Sequence, residues 1–296
     1  ARYLDLVALG TIADVVKLDF NNRILVNEGL KRIQNKYCIP GILALIKQSG
    51  KDYNKLTSTD LGFSLGPKIN AAGRLDDISV GIECLTTNDY SVAETCAATL
   101  VEKNKKRQNI EQVMQREAHD YIDKFNEMNL PACLCIYDKK WHQGLVGLVS
   151  SRLKDHCNRP VIAFAKEGQN IFKGSARSIP GIHIRDLLES IATENPNLIE
   201  KYGGHSMAAG LTIKEKNFEE FKIHASTHIK KLYPMADFTG SIYIDGQLPH
   251  QKLTIEFAQM IKDFGPWGAG FDEPLFNGKF YLIDQRVVGE NHLKMR

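Results

Sequence analysis

Tyr202-Gly203-Gly204-His205-Ser206-Met207-Ala208-Ala209-Gly210 joins two adjacent glycines, a histidine and a run of small residues. Gly203 and Gly204 can take positive φ and let a ligand approach the main chain, while Ala208, Ala209 and Gly210 put no bulk in a ligand's way. Two readings follow: a cradle for an anion, or a tight turn between strands with His205 hydrogen-bonded in a core. About thirty residues upstream, Lys173-Gly174-Ser175-Ala176-Arg177-Ser178 has the same character. Its loop would offer the hydroxyls of Ser175 and Ser178 and a guanidinium, Arg177, that can fork onto phosphate oxygens.

The pattern around these two segments alternates in type. Strands are expected at residues 132–137, 161–165, 171–174 and 211–213, and helices near 145–154, 184–192 and 218–232. That is an α/β domain. Between its first strand and first helix stands Trp141-His142-Gln143-Gly144-Leu145-Val146-Gly147, which puts His142 and the free amides of a helix start at a corner suited to an anion. His142 can equally cap that turn. His224 and His228 stand four apart on a helix, a metal-site spacing, but flanking lysines assign them to a solvent face and no third ligand is evident.

Working toward the amino terminus, residues 91–94 read Ser-Val-Ala-Glu, a capping box that opens a helix meeting no breaker until Asn129-Leu130-Pro131. At ~1.5 Å per residue it spans about 50 Å. Residues 102–109 are polar all round, as expected where a helix crosses solvent between domains. Their lysines and Arg107 form a solvated face or touch nucleic acid. Residues 65–77 read as a loop presenting Lys68, Asn70 and Arg74, with Arg74 free for a sugar-phosphate backbone or paired with Asp76 or Asp77. Residues 3–9 read as a buried strand, so Asp14, just past its end, is either a metal ligand at a sheet's carboxyl edge or a cap on the following turn.

Beyond residue 239 short strands and one helix replace the alternation, and basic residues interleave with aromatics as on oligonucleotide-binding barrels. The strand patterns at both ends suggest a chain that begins and stops mid-fold. The 296 residues, 43% hydrophobic, suffice for two or three domains. A formal charge of +3 permits a polyanionic partner without requiring one. Six cysteines without a Cys-x-x-Cys pair read as reduced cytosolic thiols, and no run approaches the roughly 18 apolar residues of a membrane span.

Together these motifs resemble the RecJ family, single-strand-specific 5′→3′ DNA exonucleases of the DHH phosphoesterase superfamily. Leu9-Gly10-Thr11-Ile12-Ala13-Asp14-Val15-Val16 is similar to the fourth DHH-domain motif, and residues 66–77 to the family's Asn-Ala-Ala-Gly-Arg-Leu segment. Residues 141–147, 174–178 and 203–210 are similar to the DHHA1 substrate-binding domain, and 264–276 to the entry of the family's OB domain. The resemblance implies a carboxyl-terminal portion with an α/β fold: part of a DHH domain at 1–88, a long interdomain helix at 89–130, a DHHA1 domain at 131–233 and a partial OB-type barrel at 234–296.

It also implies metal-dependent hydrolysis of single-stranded DNA to 5′-mononucleotides at a site holding two Mn²⁺ or Mg²⁺ ions, in DNA repair and recombination in the cytoplasm. Single-strand-binding protein and a helicase would be further partners. Carried over, Asp14 would ligate metal and share catalysis with His205. Substrate would be held by Arg74, Asn70, Ser175, Arg177, Ser178, Gly203, Gly204, His205 and His142, several of them across an interdomain cleft set by the long helix. The family's Asp-x-Asp motif and Asp-His-His triplet have no counterpart, since Asp155-His156 is followed by Cys157. Most of the metal site would lie outside this chain, which alone would be inactive. A non-catalytic nucleic-acid-binding module and a hydrolase of short oligonucleotides or cyclic dinucleotides are the competing classes.

Overall fold

The computed structural model describes residues 2–123, 130–289 and 292–296. In chain order the helices are α1 (Leu4–Ala13), α2 (Phe20–Gln34), α3 (Pro40–Gln48), α4 (Ser58–Asp60), α5 (Gly66–Leu75), α6 (Ser79–Thr86) and α7 (Tyr90–Ile122). They are followed by α8 (Val146–Cys157), α9 (Ile184–Glu194), α10 (Phe218–Leu232) and α11 (Ile255–Phe264). The strands are β1 (Leu134–Tyr137), β2 (Val161–Glu167), β3 (Ile171–Arg177), β4 (Lys201–Gly204), β5 (Ala208–Lys214), β6 (Gly246–Gln247), β7 (Phe276–Asn277), β8 (Gln285–Val288) and β9 (His292–Met295). The contacts divide the chain into two compact units: Ala1–Cys38 with Asp52–Gly66 and Ser241–Arg296, and Ile39–Lys51 with Pro67–Gly240.

The larger unit is built on a five-stranded sheet in the order β1-β2-β3-β5-β4, with β1 parallel to β2 and the other pairs antiparallel. Alternate residues of a strand face opposite sides, so each face has its own core. On one side Phe164, Phe172, Ala209, Leu211 and Ile213 pack with Leu187, Leu188 and Ile191 of α9 and Phe221, Ala225 and Ile229 of α10. On the other, Val161, Ala163 and Ala165 pack with Val146, Val149 and Leu153 of α8 and with Met114, Ala118 and Ile122 of α7. His228 is buried rather than on a solvent face: its Nδ1 donates to the His224 carbonyl (2.8 Å) and its Nε2 lies 3.2 Å from Glu194.

Helix α7 runs 33 residues; residues 124–129, where the sequence suggests it continues, lie outside the described residues. Its cap is Asp89, which accepts from the Ser91 amide (2.8 Å), and not a Ser91–Glu94 box; Glu94 instead pairs with Lys47 (2.6 Å). The polar middle is not bare of contacts either. Asn104 and Glu111 are buried, because each has hydrogen-bonding and charged partners that offset desolvation.

In the smaller unit the expected strand at 3–9 is the helix α1. Its buried residues, Asp5, Ala8 and Leu9, recur at helical spacing against α2, and a short apolar run does not distinguish the two by composition. Gly29 of α2 lets the helices touch: a Cβ there would stand 2.5 Å from the Ala8 Cβ and collide with the Leu4 carbonyl oxygen. The segment 65–77 is likewise no loop. A π-helical turn, Leu61–Leu65, leads straight into α5. In Ser241–Arg296 residues 241–245 form no strand, and the ladders among the described residues are two-stranded, β6 with β7 and β8 with β9. Trp267 stacks on Phe271 (centroids 4.9 Å apart), and the Arg23 guanidinium covers Phe271 at 3.5 Å.

Candidate nucleic-acid interface

The register of the large sheet assembles the two glycine-bearing segments side by side. Ser175 pairs with Gly210, which pairs with Gly203; Arg177 pairs with Ala208; and Lys173 pairs with Thr212, which pairs with Lys201. Directly paired residues project to the same face. These three rows continue the face that α8 covers over β2 and meets at Ser175 and Arg177 of β3; beyond that contact they form an open ledge, with Lys173, Lys201, Gly203 and Gly210 exposed and Ser175 and Arg177 half-buried. Ser175 and Arg177 therefore sit on a strand, not in the loop the sequence suggests. Gly203-to-Gly210 is a hairpin with its tip at 205–207.

Arg177 is anchored on its own strand, Nη1 donating to Ser175 Oγ (3.1 Å) and to the Ala176 carbonyl (2.8 Å). The first turn of α8 meets both side chains. Where Gly147 would carry a Cβ, Ser175 Oγ lies 2.9 Å and Arg177 Nη2 3.0 Å away, so the amide end of the helix and its partial positive charge abut the guanidinium. Arg74, in the last turn of α5, reaches the same corner, its Nη1 3.5 Å from the Gly144 carbonyl. A Cβ at Gly144 would collide with the Arg74 carbonyl oxygen, which fixes the 142–144 turn against α5. His142 Nδ1 accepts the Gly144 amide (3.1 Å) and so shapes that turn.

The electrostatics of the corner are only partly compensated. Burial, followed by the charge of Arg74, pushes the Arg177 pKa down. Burial and then Arg107 do the same for Arg74, with Glu111 opposing. Among the described residues neither Arg74 nor Arg177 has a carboxylate at salt-bridge distance. Guanidiniums stay charged under such pressure, so two half-buried cations face one another beside a helix amino terminus and two small-residue strands. Such an arrangement favours an anion, and a phosphate above all.

The other sequence-singled residues fall at varied distances from that corner. Asn70 lies one turn before Arg74 on α5 and is exposed. His205 is exposed at the hairpin tip, its amide donating to the Ala208 carbonyl (2.8 Å). That tip is stitched to the chain after Arg177, Ser178 donating to the Met207 carbonyl (3.0 Å). Gly204 has φ +143°, where a Cβ would meet Ala208 and Ala209, whereas Gly203 lies outside the positive-φ region. Ser178 is closed off from the ledge: it is 1% exposed and its hydroxyl donates to the Ile182 carbonyl (2.7 Å). Asp76, expected as a partner of Arg74, pairs with Lys103 instead (2.7 Å).

Asp14 follows the end of a helix, not of a strand, with its amide bonded to the Gly10 carbonyl (3.0 Å) and its side chain exposed. Divalent cations require a set of several oxygen ligands. Among the described residues no group of three or more His, Cys, Asp or Glu side chains gathers, so Asp14 does not by itself make a metal centre. Gly147 closes the 141–147 motif singled out from the sequence, whereas the burial of Glu111 beside Arg107 and Arg152 was missed; the four-residue spacing of Arg107 and Glu111 was the available signal.

Residues 130–231 match the DHHA1 domain and residues 244–296 the RecJ OB domain. The single-stranded-DNA-specific exonuclease RecJ of Dickeya dadantii is 48% identical over 100% of this chain and 52% of that protein. The chain belongs to the RecJ family. RecJ of Bacillus subtilis is 33% identical over 99% of this chain and 37% of its own length. The crystal structure of RecJ from Thermus thermophilus in complex with Mn²⁺ superposes with a TM-score of 0.84 at 31% identity, covering 100% of this chain and 42% of that one. Its Mg²⁺ complex gives 0.81 at 30% identity, covering 100% and 45%. The fold is thus the α/β arrangement of a DHHA1 domain followed by an OB domain. The chain spans about half the length of the curated relatives it matches. Among the described residues no helix is long and apolar enough to cross a membrane.

Proposed function

We propose that this chain is the strand-holding part of a single-stranded-DNA-specific 5′→3′ exonuclease, and that the sugar-phosphate backbone lies on the open ledge of the large sheet. The observation that carries this reading is the pair of half-buried guanidiniums, Arg74 and Arg177, with no carboxylate at salt-bridge distance among the described residues. Arg177, pre-oriented by Ser175 and Ala176, would fork onto phosphate oxygens; Ser175 Oγ and the amides at the start of α8 would complete the cradle. Arg74 would supply the second charge. Ala208, Gly210 and Gly203 would give a flat floor, with α8 as a wall on one side. All these groups address phosphate, so binding would be indifferent to base sequence.

Relatives have been solved with Mn²⁺ and Mg²⁺, and the whole protein is proposed to use such an ion. Its ligands would lie mostly outside this chain, with Asp14 as one, and no hydrolytic step is assigned to the residues described. His205, Asn70 and His142 would flank the backbone, and the 234–296 segment would add an OB-type surface. DNA repair and recombination in the cytoplasm, with single-strand-binding protein and a helicase as partners, are corollaries of this reading.

The test is Arg177→Ala in the full-length protein, with binding of 5′-phosphorylated oligothymidylate measured in EDTA so that nothing is cleaved. Loss of one charged, doubly bonded contact should weaken binding by about ten-fold or more. Unchanged affinity would remove the ledge from substrate binding.

A further inference from the structure

Halfway along α7 lies an ion pair that is almost sealed from solvent. Arg107 and Glu111 keep 12% and 10% of their side-chain exposure, with Nη1 and Oε2 2.7 Å apart. Arg107 Nε donates to Asn104 Oδ1 (3.2 Å), and Glu111 Oε1 accepts from Gln115 Nε2 (3.1 Å) and lies 3.8 Å from Arg152 Nε of α8. Burying such a pair costs desolvation that its Coulomb energy barely repays, and arginine before glutamate is the poorer order on a helix. Stability alone therefore gives little reason for it.

Its position gives a better one. Lys103, one turn before Arg107, is tied to Asp76, two residues past Arg74. Leu75 and Ile110 pack against the same core, and Arg152 comes from the helix whose first turn touches Ser175 and Arg177. Arg107 is thus held beside Arg74. Nε and Nη1 are committed to Asn104 and Glu111, and among the described residues Nη2 has no hydrogen-bond partner.

We propose that Arg107 is a third phosphate-binding cation, beside Arg74 and Arg177, and that Glu111 is the positioning residue that aims it. Glu111 holds one guanidinium in place against the repulsion of its neighbours and leaves the cluster net positive. A phosphate then supplies the missing counter-charge through Nη2. The inference rests on the ledge being the DNA-binding surface, and Arg177→Ala serves as the control for that.

The experiment measures oligothymidylate affinity in EDTA against salt for the full-length protein and its Arg177→Ala, Arg107→Gln, Glu111→Gln and Arg107→Gln/Glu111→Gln variants. Each phosphate contact of a single strand contributes about 0.7 to the slope of log affinity on log salt. Arg107→Gln should lower the slope by about that amount and weaken binding about ten-fold. Glu111→Gln should weaken binding when Arg107 is present and have no further effect in the double variant, and it should lower the salt slope only while Arg107 is there, a reading that a merely structural role does not produce. The double variant replaces the ion pair with neutral amides, so it reports even if a single variant unfolds. An unchanged slope in Arg107→Gln, or additive losses in the cycle, overturns the inference while a loss in Arg177→Ala leaves the ledge standing. No loss in Arg177→Ala defeats the ledge reading and this inference with it.

Discussion

Arg177 spends two hydrogen bonds of Nη1 on its own strand, and its other donors are what a ligand would meet. A serine, an arginine and small neighbours are the residue types that suit a phosphate, and the proposed site is built on them. Their conformation was not legible: the strand expected at 171–174 runs on through Ser175 and Arg177 as β3, with Phe164 and Leu211 filling the space beside Gly174. Ser178 was misread for a related reason, since the carbonyl that takes its hydroxyl is fixed only by the turn that follows. Cys38 gives a pH prediction at this scale. Burial first, and then the charge of Asp5, raise its pKa from 9.0 to about 12. Above pH 9 the unfolded chain loses that proton and the folded chain keeps it, so the thiol's contribution, full below pH 9, is lost as pH rises toward about 12. Alkaline unfolding of Cys38→Ala should be shallower than that of the parent across this window; identical curves would show that the thiol does not titrate this way.

Among the elements, helices in the DHHA1 region and α2 and α3 were readable from periodicity, whereas α1 and α5 were not. Residues 218–232 carry Phe218, Phe221, Ala225 and Ile229 at helical spacing, a signal with one solution. Residues 3–9 are apolar except for Asp5, and so fit a buried strand and a buried helix equally; only the partner helix decides, through Gly29. Gly29→Ala should therefore force α1 and α2 apart and cost about 1–3 kcal/mol of stability by overpacking, although alanine is the better helix former. A melting temperature equal to the parent's would contradict the close approach. In α7 a charged run looked solvated because a sequence shows charges but not the partners that let Asn104 and Glu111 be buried.

For the molecule as a whole, the order of motifs along the chain was more informative than any one of them, and it led to the family before the sheet's register could be known. What no motif could supply was the meeting of 173–178 with 201–212 in three rows, a fact of register alone. With Asp14 as its one candidate metal ligand, this chain on its own, given Mn²⁺ and 5′-phosphorylated single-stranded DNA, should release no mononucleotides; appreciable release would show that further ligands are unnecessary. The bare floor has a separate consequence. Nothing stands within 4 Å of a Cβ built at Gly203, and a β-branched residue suits a strand. Valine there would leave folding intact while filling the height at which a backbone rests. If the proposed ledge holds the DNA backbone, such a protein would fold as the parent does yet fail to bind oligothymidylate, which separates folding from substrate capture without removing a charge; unchanged binding would contradict the ledge.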